Sequence, residues 1–241
     1  MQHVPISRLL AGLFLALAAC APAVAEPTVP AGEYVYVENG TAHGEMSVAG
    51  AKFSIATTGG NCHECSVDGR FSGMHGIVDD GVSSCRFDAS VGGPSVRLEI
   101  PAAQQDGCRA FCGARAMFEG EYRKPPAACT KAARSSRLEE ARRAYRARDY
   151  ATARAGLRGL VAECATFTDW IELDRERNDL ALAELHAGDP AQCLKVLADT
   201  TAAGAKNEDD LGLPPCDKDN YLSTAKSTWH NRSVCQAAIK R

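Results

Sequence analysis

Apolar and polar residues alternate along much of the chain between Glu33 and Tyr122. Alternation with a period of two is typical of β-strands that bury one face. Turn sequences such as Asn39-Gly40 and Gly92-Gly93-Pro94 separate short segments at a spacing of about ten residues. The pattern predicts seven or eight short strands in an antiparallel meander that closes into a small β-barrel or tight sandwich. The strands that it predicts cover residues 34–37, 44–48, 52–55, 62–71, 82–88, 96–100 and 114–122.

The last of these strands is predicted to close the sheet. Phe118 and Tyr122 lie on one side of it with small residues such as Ala116. Cys108 and Cys112 stand just before this strand, and they predict that disulfide bonding fixes its approach.

From Lys131 onward the spacing of apolar residues changes to that of helices. Sequences that start helices recur at intervals and predict a series of helical hairpins. They are the capping box of Ser136 and Glu139, Asp149, the capping box of Asp169 and Glu172, and Asp189 followed by Pro190.

The helical hairpins repeat along the chain. Asp149 aligns with Asp189 at an offset of 40 residues, since 189 − 149 = 40, and Cys193 aligns with Cys235 at an offset of 42, since 235 − 193 = 42. A period of about 34–47 residues is typical of helical solenoids. The segment 178–189 resembles a tetratricopeptide repeat, which implies a helical array in which the short last unit contains Asn220 and Asn231. Cys193 and Cys235 hold equivalent places in successive units, and we predict that they pair.

The N-terminus carries the features of an export signal. Arg8 precedes a short apolar run over residues 9–19, and Ala23-Val24-Ala25 forms a cleavage site. The sequence therefore predicts a signal peptide over residues 1–25, a β-domain over 26–125 and a helical domain over 126–241, in a periplasmic protein. Alternatively, residues 17–20 form a lipoprotein box that ends at Cys20, and lipidation of Cys20 would anchor the protein to the outer membrane.

Ten cysteines remain besides Cys20, and an even number in an exported protein indicates a disulfide framework. Cys62 and Cys65 flank His63, and three interpretations of this CxxC sequence stay open: a redox pair, half of a zinc site, or separate disulfide partners. The ten disulfide candidates are Cys62, Cys65, Cys85, Cys108, Cys112, Cys129, Cys164, Cys193, Cys216 and Cys235.

The net charge of −3 argues against nucleic acid as a partner. Residues 131–158 are rich in Lys and Arg, whereas residues 163–219 are rich in Asp and Glu. The two segments form either solvated faces of the helical array or a basic strip that meets an anionic partner or the β-domain.

The sequence contains no common catalytic, phosphate-binding or dinucleotide-binding motif. We therefore predict a protein that is not an enzyme and has no cofactor. A calcium site at the acidic residues 208–210 and 217–219 is an alternative to a solvated loop.

The β-domain resembles a small domain of exported proteobacterial proteins, some of which are grouped with the LprI-like lysozyme inhibitors. The resemblance implies a periplasmic β-domain that acts against muramidases. The helical cysteine-rich domain that defines that family is not recognisable in this chain. The motif that carries the likeness is Cys108-Arg109-x-x-Cys112-Gly113-x-Arg115-Ala116-x-Phe118-x-Gly120-x-Tyr122.

A second resemblance concerns the turn after residue 46. The segment 47–53 is similar to the loop that MliC-type inhibitors push into the lysozyme cleft, which implies that Ser47, Gly50 and Lys52 bind a partner. We therefore expect a protein-binding module whose partner is a muramidase or a secreted effector. An envelope scaffold with no inhibitory activity is the alternative.

Overall fold

A computed structural model describes Met1 and residues 28–240 of the protein. The predicted alternation forms eight antiparallel strands that close into a barrel, each strand pairing with the next and β8 pairing with both β7 and β1. The strands are β1 (Gly32–Glu38), β2 (Thr41–Ala49), β3 (Lys52–Thr58), β4 (Glu64–Ser72), β5 (His75–Asp79), β6 (Ser84–Gly92), β7 (Ser95–Glu99) and β8 (Gly120–Arg123). A short helix, α1 (Gln105–Arg109), packs beside β6.

Aromatic rings fill the barrel. The ring centroid of Phe53 lies 4.6 Å from that of Phe71 and 5.4 Å from that of Phe87, and Phe118 continues the cluster at 5.3 Å from Phe87. A small closed barrel leaves an interior that side chains can fill, so these inward positions form one continuous core.

Strand β5 is absent from the sequence-based prediction. Its short pattern includes Gly76, which lowers strand propensity. The structure explains the glycine, because a Cβ at Gly76 would lie 2.2 Å from the ring of Phe87. The barrel therefore needs a residue without a side chain at this position.

The predicted strand over residues 114–122 is too long, because β8 begins at Gly120. Residues 114–119 cross the end of the barrel without joining a strand, and the Met117 carbonyl accepts a hydrogen bond from the Thr57 hydroxyl. The burial of alternate residues still holds, since Ala116, Phe118 and Tyr122 are all buried.

Five longer helices follow the barrel among the described residues. They are α2 (Lys131–Arg146), α3 (Tyr150–Cys164), α4 (Trp170–His186), α5 (Pro190–Ala198) and α6 (Pro215–Ile239). The predicted caps Asp149, Asp169 and Asp189 are confirmed, because each side chain accepts hydrogen bonds from backbone amides in the first turn of its helix.

The first helix begins earlier than predicted. Ser136 lies inside α2, where its hydroxyl donates to the Glu140 carboxylate, and the helix starts at Lys131. Thr130 is the N-cap, because its hydroxyl accepts from the Ala133 amide. Residues 131–135 already belong to α2, so the capping-box sequence lies inside the helix and does not mark its start.

The third helical unit is also different from the prediction. Asn220 and Asn231 lie in one long helix, α6, and not in two helices of a hairpin. Residues 216–239 contain neither glycine nor proline, and the helix therefore continues without a break. The predicted bond between Cys193 and Cys235 is confirmed and joins α5 to α6.

All ten predicted cysteines form disulfides, which is typical of an oxidising, extracytoplasmic compartment. Cys108 and Cys112 each bond to a barrel strand, so two bridges fix the approach to β8. The pairs are Cys62–Cys216, Cys65–Cys112, Cys85–Cys108, Cys129–Cys164 and Cys193–Cys235.

The predicted signal peptide, its cleavage site and Cys20 lie outside the described residues. Within residues 28–240, no helix is both long and apolar enough to span a membrane.

Candidate binding cleft between barrel and helices

The barrel is joined covalently to the last helix. Cys62, in the turn between β3 and β4, bonds to Cys216 in the first turn of α6. Asn61 and Cys62 both have positive φ values of 59° and 56°, which turn their amides toward that helix. The Asp217 carboxylate accepts hydrogen bonds from the Asn61 amide at 2.7 Å and from the Cys62 amide at 3.2 Å.

The same junction caps α6. The side-chain oxygen of Asn61 accepts a hydrogen bond from the Cys216 amide at 3.0 Å, which satisfies a first-turn donor that the helix itself leaves unpaired. A barrel residue thus caps the N-terminus of a helix in the helical half. Asp217, a candidate calcium ligand in the sequence, binds backbone amides of the barrel instead.

A second junction lies at the start of β2. The Ala42 amide donates to the Thr168 carbonyl at 3.1 Å, and Ala42 forms a parallel bridge with Asp169. Two separate junctions, at opposite sides of β3, hold the helices against the barrel.

A cleft of about 1210 Å³ lies between these junctions. Its barrel wall is the outer face of β1 to β4, where Val35, Glu45, Ala56 and Ser66 lie in one cross-strand row. The helical wall includes Phe167, Trp170, Lys131 and Arg134 among its residues.

Carboxylates outnumber basic side chains in this cleft. The acidic residues are Glu33, Glu38, Glu45, Glu64, Asp169, Glu172 and Asp217, whereas the basic ones are Lys131 and Arg134. Four of the carboxylates, Glu33, Glu38, Glu45 and Glu64, are exposed on the barrel wall and form no ion pair with another described residue. We call these four the barrel carboxylates.

Arg134 lies where the cleft meets the helical core. Its guanidinium donates to the Thr168 hydroxyl at 2.8 Å and lies 3.7 Å from a Glu172 oxygen and 3.9 Å from a Glu176 oxygen. Glu176 is buried, and one of its oxygens has no hydrogen-bond partner among the described residues. Burial raises the pKa of Glu176 to about 7, against the opposing effect of the Arg134 charge.

The basic segment 131–158 faces acidic residues of α4. Arg142 binds Asp179 at 2.8 Å, and both Arg154 and Arg158 bind the buried Glu184. These three guanidiniums are therefore engaged within the helical half, whereas Lys131, Arg143, Arg146 and Arg148 are exposed on its surface.

The predicted binding residues lie apart from the cleft. Gly50 and Ala51 form a two-residue turn between β2 and β3, since Ala49 pairs with Lys52. Lys52 is exposed at this turn, at the opposite end of the β2–β3 hairpin from Gly44 and Thr57, which line the cleft. Ser47 is the nearest of the three, two residues from Glu45 on the same strand.

Among the alternatives for the CxxC sequence, the structure shows separate disulfide partners. Cys62 bonds to Cys216 and Cys65 to Cys112, so neither sulfur is a free thiol. Within residues 28–240, no group of three or more His, Cys, Asp and Glu side chains is arranged to hold a metal ion.

Sequence reasoning did not identify the cleft. Alternation does show that Glu33, Glu45 and Glu64 face outward. Glu38 has the parity of the buried Tyr34 and Tyr36, and it is exposed because the register of β1 shifts between Tyr36 and Val37. The pattern carries no signal for the opposing helices, because that contact depends on Asn61, Cys62 and Asp217 coming together across 155 or more residues.

Comparison of the chain with protein-family models, with curated proteins and with solved structures finds no match.

Proposed function

We propose that the chain is an exported, periplasmic protein-binding module that holds a basic segment of a partner protein in the cleft. The observation that carries this proposal is the wall of four barrel carboxylates, which form no ion pair within residues 28–240, in a cleft whose two walls a disulfide joins. Opposite charge accelerates association and favours the correct partner, particularly at low ionic strength.

The partner that we favour is a muramidase or a secreted effector. The surface of muramidases is often basic, which complements the barrel carboxylates. Phe167 and Trp170 add apolar and aromatic area to the opposite wall, and aromatic residues are enriched where protein partners bind tightly.

The test measures binding and cell-wall lysis with the full exported chain and a panel of basic muramidases. Glu33→Gln with Glu45→Gln is expected to weaken binding by about tenfold at low salt, because both charges face the cleft. Asp68→Asn with Glu99→Gln is the matched control, since both residues are exposed on the barrel outside the cleft. Equal losses in the two double variants would contradict a role for the cleft.

The β2–β3 turn is a second surface for the same function. If Lys52 enters a muramidase cleft, Lys52→Ala loses inhibition while the Glu33 and Glu45 variant retains it. Full lytic activity at saturating protein for every muramidase tested would remove the inhibitor hypothesis.

The alternative function is an envelope scaffold built on tetratricopeptide-like hairpins. Helices α2 and α3 and helices α4 and α5 form successive hairpins whose turns are alike: Arg148 and Gly188 both have positive φ, and Asp149 and Asp189 follow them as caps. A scaffold predicts that the chain retains one defined protein from a periplasmic extract with no effect on cell-wall lysis.

A further inference from the structure

A second concave surface lies on the helical half. This helical groove has a volume of about 530 Å³ and runs between α4 and α6, with Arg142 of α2 at its edge. It shares no lining residue with the cleft. Its lining includes the cations Arg142, Arg175 and Lys226 and the polar residues Asn178, Thr224 and Asn231.

The helical groove carries excess positive charge in a net-acidic chain. Asp179, its acidic residue, is already bound to Arg142. Arg175 and Lys226 have no carboxylate within ion-pair distance among the described residues. The Arg175 side chain is held in place, because its Nε donates to the Thr224 hydroxyl at 3.3 Å.

The floor of the helical groove is polar where two packed helices usually bury apolar side chains. Asn178, Thr224 and Asn231 are all buried there. Burying such groups costs free energy unless hydrogen bonds satisfy them. Asn178 meets this requirement, because its amide nitrogen donates to the Asp174 carbonyl and the Thr228 hydroxyl.

Asn231 forms fewer hydrogen bonds than Asn178. Only 4% of this residue is exposed, and its one hydrogen bond among the described residues is from Nδ2 to the Asn178 oxygen at 2.9 Å. An asparagine amide offers two N–H donors and an acceptor oxygen, so a donor remains for a ligand.

We propose that the helical groove binds an oxyanion, either a carboxylate or a phosphate group, between Arg175 and Lys226. Guanidinium, ammonium, hydroxyl and amide groups all supply N–H or O–H donors to oxyanion oxygens, and bonds between charged partners are the strongest of these. This inference is independent of the proposed cleft function, since the two sites have different residues and opposite charge.

The test is calorimetric titration of the full chain with pyrophosphate and, separately, with citrate. Saturable binding of either probe is expected, and Arg175→Gln with Lys226→Gln should weaken it by about tenfold or more. Pyrophosphate alone would assign a phosphate ligand, citrate alone a carboxylate ligand, and both a general oxyanion site.

The matched control is Lys195→Gln, because Lys195 is an exposed cation on α5 outside the helical groove. This variant should retain the affinity of the unmodified chain. The absence of saturable binding for both probes, or equal losses in the control, would overturn the proposal. The Arg175 and Lys226 variant should lose oxyanion binding and still bind muramidases in the cleft. This outcome would show that the two sites work independently.

Discussion

Glu176 shows how burial changes the chemistry of one residue. Its carboxyl is buried beside Arg134, yet the nearest distance between their charged atoms is 3.9 Å, so the pairing is weak. Because burial raises the pKa to about 7, the folded chain binds a proton that the unfolded chain releases at a lower pH.

We predict that this group makes stability depend on pH. Between the ordinary pKa of 4.5 and the folded value of about 7, the folded state holds more protons, so the free energy of unfolding falls as pH rises. Glu176→Gln stays neutral and should remove this slope, with a gain on the order of 2 kcal/mol at pH 8. Thermal unfolding followed by circular dichroism from pH 4.5 to pH 8 measures both effects.

Glu163→Gln is the control for this measurement, since that side chain is 56% exposed, pairs with Arg137 and does not contribute to the pKa of Glu176. It should keep the slope of the unmodified chain. A slope that persists in Glu176→Gln would show that another group titrates.

At the scale of elements, the start of α2 separates a true cap from a sequence that resembles one. Thr130 is outside the helix and accepts a hydrogen bond from the Ala133 amide, whereas Ser136 lies within the helix and bonds to Glu140. A side-chain hydroxyl thus has different effects at the two positions, because only a residue at the helix end faces unpaired amides.

We predict that Thr130→Ala lowers the free energy of unfolding by about 1 kcal/mol, because it leaves a first-turn amide without its partner. Ser136→Ala should change it by less than about 0.5 kcal/mol, since alanine favours helices. Urea unfolding of the two variants compares the positions directly. A larger loss for Ser136→Ala would place the helix start at the sequence-based position.

At the scale of the whole molecule, one disulfide couples the barrel to the helical half. Cys62–Cys216 closes a separation of 154 residues, whereas Cys193–Cys235 closes 42 residues within the helices. The first bridge also positions Asn61 to cap α6 and Asp217 to bind the barrel.

We predict that Cys62→Ser with Cys216→Ser uncouples the halves. Calorimetry should show one unfolding transition in the unmodified chain and two in this variant, because only a few hydrogen bonds, at Ala42 and around Asn61, would then join the halves. Binding in the cleft should also weaken, since its walls are no longer held at a fixed separation.

Cys193→Ser with Cys235→Ser is the matched control, because it removes a bridge that lies within the helical half. It should lower the helical transition and leave the barrel transition in place. A single transition in the Cys62 and Cys216 variant would mean that noncovalent contacts alone couple the halves.

The sequence determined the elements whose signals are local. Alternation along β1 to β4, β6 and β7 fixed which residues face the barrel core, and Asp149, Asp169 and Asp189 marked helix starts because capping involves residues two or three apart. The pairing of Cys193 with Cys235 was correctly predicted from their spacing, although Cys235 lies in the single long helix α6 and not in a repeated hairpin. These features depend on near neighbours or on periodicity, and both can be read directly from the amino-acid sequence.

Tertiary structure alone decided the rest. Position 76 requires glycine because the Phe87 ring occupies the space beside it, and α6 packs along α4, where Asn231 meets Asn178. The cleft exists because Asn61 and Cys62 reach Asp217 across the fold. Contacts between residues so far apart in the chain leave no periodic or local pattern, since their energies depend on which surfaces the completed fold brings together.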